Sequence, residues 1–251
     1  MSAALLIFLA VAQAAAQPPS TTRVPSARGD LVITALGHAS VQLEQGGKVI
    51  IVDPVADQAD LSLAKPADLI LVTDVHPDHF DPAAISKLRK PGAPVVVPPA
   101  VAAADKVPDA IVMVNRQMRA NELAPAGIAV ISVPAYNLER GPAPGQFYHP
   151  RERGQGYLLM VGDKLVYVAG DTECVPAMEY MLKRPRVDVA FIPMNLPYTM
   201  PPGEAAKCVK GFAPKLAIPY HFMGQKPEEF AAALKGEEIE VRILNWYPKA
   251  R

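Results

Sequence analysis

Four side chains of the kinds that bind metal ions fall within six positions of this sequence. They are Asp74, His76, Asp78 and His79. Neutral imidazoles and carboxylates together suit divalent transition metals. A lone histidine would be interpreted as a hydrogen-bonded structural residue, but a cluster of this density predicts a metal site.

Two more candidate ligands come later in the chain, each directly after a predicted strand. Asp171 follows the strand at residues 164–169, and His221 follows the strand at residues 216–220. The first four candidates follow a continuous apolar run at residues 69–72. Ligands of open α/β sheets collect outside the carboxyl ends of the strands. Three strands therefore deliver Asp or His side chains to the place where a site is expected.

This set of residues suits hydrolysis. A bridging carboxylate can hold two cations roughly 3.5–4 Å apart, and each cation lowers the pKa of a bound water toward about 7. The resulting metal-bound hydroxide would attack an ester, lactone or phosphodiester bond. The residues alone thus predict a metal-dependent hydrolase acting on a small molecule.

The elements that must position these residues are strands that open each half of the chain and helices that follow. Early strands are predicted at residues 31–36, 40–43 and 48–52, and a helix is predicted from Pro82 with Asp81 as its N-cap. Later strands are predicted at residues 95–97, 128–133, 156–161, 187–193 and 239–244, and later helices at 101–106, 203–211 and 227–234. This mixture predicts an α/β sandwich whose sheets are covered by helices.

Several motifs resemble those of the metallo-β-lactamase superfamily. Residues 73–79 are similar to its T-H-x-H-x-D-H signature, residues 170–172 to its bridging G-D-T, and His221 to its late histidine. Residues 37–40 and 52–54 resemble segments of the branch that includes ascorbate-6-phosphate lactonase. The resemblance implies a four-layer αββα sandwich.

The resemblance also implies a role for each matching residue. His76 would bind the first metal. Asp78, His79 and His221 would bind the second, and Asp171 would bridge the two. Asp78 would in addition orient the attacking hydroxide.

Two positions depart from the family pattern. Asp74 stands where the family has its first histidine, and a harder oxygen ligand favours Mn or Fe over Zn or weakens that position. Asn137 stands near another expected histidine, so either Asn137 or His149 could contact metal or substrate, unless His149 is a surface residue. We therefore expect one or two divalent ions, zinc first, and a one-metal enzyme stays open, with the ligands Asp78, His79, Asp171 and His221.

Three further residues are weaker candidates. His38 could act in catalysis at the rim of the pocket or could be a packing residue. Asp53 could accept a hydrogen bond from a ligand histidine, as outer partners of metal ligands commonly do. Tyr198 could contact substrate or anchor a turn.

Bulk composition narrows the function classes. Of 251 residues, 25 are Lys or Arg and 25 are Asp or Glu, which gives a formal net charge of zero. Nucleic-acid enzymes usually carry a basic excess, so a nuclease of this superfamily is disfavoured. β-Lactam hydrolysis stays open, as does a catalytically decayed metal- or ligand-binding protein on the same scaffold. The oligomeric state is not indicated.

The N-terminus predicts export. An uncharged apolar run at residues 3–12, followed by A-x-A sites, is typical of a signal peptide and is too short to span a bilayer in the mature protein. We divide the chain into a signal peptide at 1–16, a linker at 17–29 and a hydrolase domain at 30–251, in a secreted or periplasmic protein. Cys174 and Cys208 are interpreted as two separate thiols, although in an oxidising compartment they could pair.

Overall fold

The fold consists of two seven-stranded β-sheets that pack face to face, with helices on both outer surfaces. The structure is a computed structural model, and it describes residues 20–120, 123 and 126–247. The layers run helix, sheet, sheet, helix. The predicted four-layer αββα sandwich is therefore confirmed.

The first sheet contains strands β1 to β7 in chain order. Strands β1 to β4 pair antiparallel, and β4 to β7 pair parallel. Two helices follow strands of this sheet. The bounds are β1 Thr21–Val24, β2 Leu31–Gly37, β3 Ser40–Gln45, β4 Lys48–Val52, β5 Leu69–Leu71, α1 Pro82–Leu88, β6 Val95–Val97, α2 Pro99–Ala102 and β7 Ile111–Val112.

The second sheet has the order β14-β13-β12-β11-β10-β9-β8. Strands β8 to β11 pair antiparallel, and β11 to β14 pair parallel. The bounds are β8 Met118–Arg119, β9 Ala129–Ala135, β10 Gly154–Val161, β11 Lys164–Val168, α3 Pro176–Leu182, β12 Val189–Pro193, α4 Pro202–Phe212, β13 Leu216–Tyr220, α5 Pro227–Ala233 and β14 Glu240–Val241.

The main core lies between the two sheets, where alternate strand residues from both meet. Tyr157, Phe191, Tyr220 and Trp246 are almost completely buried in it. Smaller apolar clusters join α1 and α2 to the first sheet and α3, α4 and α5 to the second. None of the helices in the described ranges combines the length and hydropathy needed to cross a bilayer.

Local sequence signals explain how the loop after β5 is held. Asp81 accepts hydrogen bonds from the backbone N–H groups of Ala83 and Ala84, and Pro82 occupies the first turn of α1. The predicted N-cap is confirmed. The loop that carries the four clustered candidates is thus fixed between a buried strand and a capped helix.

The structure corrects two predictions made from the sequence, one about the linker and one about the cysteines. Residues 21–24 form β1 and pair with β2, so part of the predicted linker belongs to the first sheet. The prediction of separate thiols is wrong, because Cys174 and Cys208 form a disulfide with a Cα–Cα distance of 5.5 Å. Packing of α3 against α4 brings the two cysteines together. The predicted signal peptide lies outside the described residues.

Candidate metal centre

The carboxyl ends of β5, β11 and β13 meet and bring the predicted site residues together. Among the described residues, three groups have ligand-type atoms within 4.8 Å of one another. One, which we call the inner cluster, consists of His79, Asp171 and His221. Another, the outer cluster, consists of Asp74, His76 and His149. The third group joins the inner cluster to its neighbours and consists of His38, Asp78 and His221.

The inner cluster is completely enclosed by protein. His79 Nε2 lies 3.4 Å from Asp171 Oδ2, and His221 Nε2 lies 3.5 Å from Asp171 Oδ1. Asp78 Oδ2 lies 3.3 Å from His221 Nε2 and 3.9 Å from His79 Nε2. Two imidazoles and two carboxylates thus converge on one small volume.

Asp53 fixes the orientation of His79 from behind. His79 Nδ1 donates to Asp53 Oδ2 at 2.8 Å, and the same carboxylate accepts from the Thr73 N–H at 2.7 Å and the Thr73 hydroxyl at 2.5 Å. Because Nδ1 is engaged by Asp53, Nε2 is the ring nitrogen that faces Asp171. This is the outer partner that a metal-binding histidine usually has.

The donor atoms of the inner cluster fit a divalent cation. Within the described part of the chain, His79 Nε2 and Asp171 Oδ1 are buried atoms without a hydrogen-bond partner. A buried polar atom left unpaired costs free energy, and such a group in a native protein calls for an explanation. Nitrogen and oxygen donors of this kind are those that zinc and similar ions take.

The electrostatics of the inner cluster also favour a cation. Burial raises the pKa of Asp171, but His221 and His79 outweigh burial and hold it well below its usual range. Burial likewise raises the pKa of Asp78, but hydrogen bonds from His221 and His38 lower it more. Burial lowers the pKa of His79, but Asp171 and Asp53 outweigh it and raise that pKa above its usual range. Both carboxylates therefore remain anionic and attract positive charge.

Three residues of this region hold left-handed backbone conformations that side chains other than glycine seldom adopt. They are His38 with φ 48°, Asp53 with φ 47° and His221 with φ 48°. Such conformations persist where surrounding structure enforces them, and they concentrate at functional sites. The His221 N–H donates to the His38 carbonyl at 3.2 Å, which ties two of these positions together.

His38 contacts the cluster through Asp78. Its Nε2 lies 3.2 Å from Asp78 Oδ2, and its Nδ1 lies 2.9 Å from the Tyr247 hydroxyl. The His38 side chain is thereby held between a carboxylate and a phenol, and it is almost fully buried. The geometry places His38 as an orienting partner of Asp78.

In the outer cluster, Asn137 is the hydrogen-bond partner of His149. Asn137 Oδ1 accepts from His149 Nδ1 at 2.9 Å and from the His149 N–H at 2.7 Å. Asn137 Nδ2 donates to Glu173 at 3.0 Å and to the Tyr198 carbonyl at 2.8 Å. With its amide engaged in this way, Asn137 orients His149, whose Nε2 lies 3.1 Å from Asp171 Oδ2.

Sequence reasoning missed Arg153, which extends into the outer cluster. Arg153 Nη2 lies 2.9 Å from His76 Nε2 and 3.4 Å from His76 Nδ1, over the face of the ring, and it donates to the Tyr148 carbonyl at 2.6 Å. Its Nε lies 3.4 Å from Asp74 Oδ2. The one signal in the sequence is that Arg153 directly precedes the second hairpin, and this signal does not reveal what the side chain contacts.

Tyr198 lies on a loop beside the clusters and is 45% exposed. Its ring makes an edge contact with Tyr148, with ring centroids 5.0 Å apart. Other exposed apolar side chains occupy the loops that carry site residues, with Leu138 next to Asn137 and Met223 two residues after His221.

Comparisons with known proteins agree with this geometry. Residues 32–221 match the family described as Beta-lactamase superfamily domain. A UPF0173 metal-dependent hydrolase of Aeropyrum pernix is 32% identical over 238 residues, covering 84% of this chain and 93% of the relative. The relative TK0141 of Thermococcus kodakarensis is 33% identical, covering 83% and 94%.

Solved structures give the same result. The crystal structure of a putative metal-dependent hydrolase from Parabacteroides distasonis has a TM-score of 0.79 and 37% identity, covering 89% of this chain and 97% of that one. Igni18 of Ignicoccus hospitalis, at 23% identity and a TM-score of 0.68, shares the fold. The narrower resemblance to the ascorbate-6-phosphate lactonase branch stays a prediction. The chain belongs to the UPF0173 metal-dependent hydrolases of the β-lactamase superfamily.

Proposed function

We propose that this protein hydrolyses an ester, lactone or phosphodiester bond of a small molecule, with zinc as the first candidate metal and Mn or Fe as alternatives. One observation carries the proposal. Two buried ligand-type atoms, His79 Nε2 and Asp171 Oδ1, lack hydrogen-bond partners among the described residues, and both belong to the inner cluster. A divalent ion held there would satisfy both atoms.

The residues around the cluster supply the rest of the chemistry. A divalent cation, when bound, lowers the pKa of water and polarises the bond under attack. Asp78 would orient the attacking water, because its Oδ2 lies beside the cluster and within 3.3 Å of His221 and His38. His38, held by Tyr247, keeps the Asp78 carboxylate in that orientation.

The proposal names the bond classes and leaves the scaffold of the substrate to assay. β-Lactams are candidate substrates beside lactones, esters and phosphodiesters.

Export is part of the proposal. Disulfides form and persist in oxidising compartments, and the Cys174–Cys208 bridge adds support to the signal-like segment at residues 3–12. A substrate outside the cytoplasm follows from this location. Detection of the mature protein in the periplasm or medium of its host, with the first 16 residues removed, would test the point directly.

The function itself is tested with metal-depleted protein. The protein is stripped with a chelator, reloaded with Zn, Mn or Fe, and assayed on lactones, phosphodiesters, esters and β-lactams. We expect turnover that follows metal content and that disappears in His221→Ala. Glu228→Gln, which removes an exposed charge on α5, is the control and should match the wild type.

Two outcomes would overturn the proposal. Hydrolysis that survives unchanged in both Asp78→Ala and His221→Ala would place the chemistry elsewhere. Tight metal binding without turnover of any substrate class would favour the alternative, a metal- or ligand-binding protein on the same scaffold. The departure at Asp74 motivates that alternative, whereas the retained inner cluster argues against it.

A further inference from the structure

We infer that Arg153 occupies the first metal position of this fold, so that the protein holds one divalent ion, in the inner cluster. The inference rests on the proposed function, since it concerns how many metal ions that function uses. It assigns to Arg153 the positive charge that a first metal would otherwise provide.

The contacts of the guanidinium carry the inference. Arg153 Nη2 lies 2.9 Å from His76 Nε2 and 3.4 Å from His76 Nδ1, so the guanidinium lies against the face of the imidazole, and Arg153 Nε lies 3.4 Å from Asp74 Oδ2. These are ligand-type side chains of the outer cluster. The guanidinium thus holds a positive charge against two of the side chains that a first ion would need.

The Arg153 side chain is also fixed at its far end. Nη2 donates to the Tyr148 carbonyl at 2.6 Å, and only 23% of the side chain is exposed. A metal ion entering the outer cluster would have to push the Arg153 guanidinium aside, and the two positive charges would then lie close together. Like charges in a site of this kind disfavour each other.

The residue types match the geometry. The family resemblance implies a neutral histidine at position 74, but this chain has a carboxylate there, which pairs with a guanidinium as an imidazole would not. Gly154 permits the approach, because a Cβ at this position would meet Asp74 Oδ2 at 2.6 Å and the Thr73 carbonyl at 3.0 Å. Asp74, Arg153 and Gly154 therefore form one consistent arrangement.

The consequence for catalysis is a fixed organic cation beside the metal. The guanidinium contacts His76, the His76 and His149 rings lie with their centroids 5.1 Å apart, and His149 Nε2 lies 3.1 Å from Asp171, so two histidines connect Arg153 to the inner cluster. A preorganised positive charge of this kind stabilises negative charge that develops on the substrate. Arg153 would thus act on substrate where a second ion acts in two-metal hydrolases.

Metal stoichiometry tests the inference without depending on turnover. Metal-free protein is titrated with Co²⁺ by calorimetry, and bound metal is counted by elemental analysis. We expect one equivalent in the wild type and two in Arg153→Ala. Arg151→Ala is the matched control, because Arg151 lies two residues away and stacks over the Tyr136 ring, with its guanidinium carbon 4.4 Å from the centroid. It should keep one equivalent.

A second variant and a spectroscopic measurement cover the case in which Arg153→Ala does not fold. His76→Ala should still bind one equivalent, because His76 is engaged by Arg153. Electron paramagnetic resonance of the Co²⁺-loaded wild type should show an isolated ion. Two tightly bound equivalents or a spin-coupled pair in the wild type would overturn the inference, and so would a single equivalent in folded Arg153→Ala. Failure of the wild type to bind any metal would instead overturn the proposed function.

Discussion

The inner and outer clusters contain the same kinds of side chain. They differ in whether another side chain of the protein contacts their ligand-type atoms. In the inner cluster, His79 Nε2 and Asp171 Oδ1 are without hydrogen-bond partners among the described residues. In the outer cluster, the Arg153 guanidinium lies against the His76 ring and pairs with Asp74. Ligand-type residues at the right spacing are therefore not sufficient evidence for an ion. Whether a cluster can hold an ion depends on what each of its donor atoms already contacts.

The two clusters also differ in the residue that orients a histidine from behind. The inner cluster is backed by Asp53, a fully buried carboxylate that orients His79. The outer cluster is backed by Asn137, a neutral amide that orients His149. A carboxylate behind an imidazole strengthens that imidazole as a ligand, whereas an amide fixes its direction without adding charge. The difference agrees with metal binding in the inner cluster.

The largest expected effect is on catalysis at the edge of the inner cluster. Asp78→Asn removes the anionic carboxylate that orients the attacking water, and misplacement of a reacting group lowers kcat by about 10²-fold. The substitution keeps the size and one oxygen of the side chain, so the fold should persist. Steady-state kinetics beside a metal count would check it, with Glu228→Gln as control. A kcat within a few fold of the wild type would remove Asp78 from the mechanism.

The next effect concerns the support of the inner cluster. Asp53→Asn should lower metal affinity by about 10–100-fold, because outer partners of ligand histidines have effects of this size. Competition with a chromophoric chelator measures the affinity. Asp68→Asn is the matched control, since Asp68 also accepts a backbone N–H and pairs with Lys90, but away from the clusters. Equal affinities in both variants would show that the Asp53 contact has no effect on the metal.

Substitution of Asn137, which orients His149 in the outer cluster, should lower the unfolding free energy and leave metal affinity unchanged. Asn137→Ala leaves the buried backbone N–H and ring N–H of His149 without the oxygen that accepts from them, which we expect to cost about 3 kcal/mol of unfolding free energy. Metal affinity should stay near that of the wild type, because His149 is not a ligand of the single ion. Urea unfolding and chelator competition separate the two effects. A loss of affinity as large as in Asp53→Asn would make His149 a ligand.

The sequence predicted the site best where a candidate ligand follows a predicted strand. Asp74, Asp171 and His221 each come directly after an apolar run, and the parallel strands β5, β11 and β13 bring these run ends to the same edge. The αββα class was predictable for the same reason, because strand and helix periodicities are local. Asp53 was also anticipated, since it follows β4, the parallel neighbour of β5.

The features that escaped prediction depend on contacts between distant segments. Arg153 reaches Asp74 only because Gln155 at the start of β10 donates to the Thr73 carbonyl at 2.9 Å, a connection between the two sheets. The disulfide joins residues 34 positions apart through the packing of α3 on α4. Strand β1 was hidden by its composition, because Thr-Thr-Arg-Val at a sheet edge resembles a linker.

The smallest expected effect tests the packing that allows the Asp74–Arg153 pair. Gly154→Ala would place a methyl group 2.6 Å from Asp74 Oδ2, and relief of that overlap should cost about 2 kcal/mol of unfolding free energy. Gly203→Ala in α4 has nothing within 4 Å of its added methyl group and should be neutral or stabilising by up to about 1 kcal/mol. Urea unfolding of the pair measures the difference. The added methyl group at Gly154 meets Asp74 of the outer cluster first, so metal affinity should change less than in Asp53→Asn. A Gly154→Ala protein as stable as Gly203→Ala would mean that Asp74 can move aside freely, and the close fit between Asp74 and Arg153 would then no longer support a fixed cation at the first metal position.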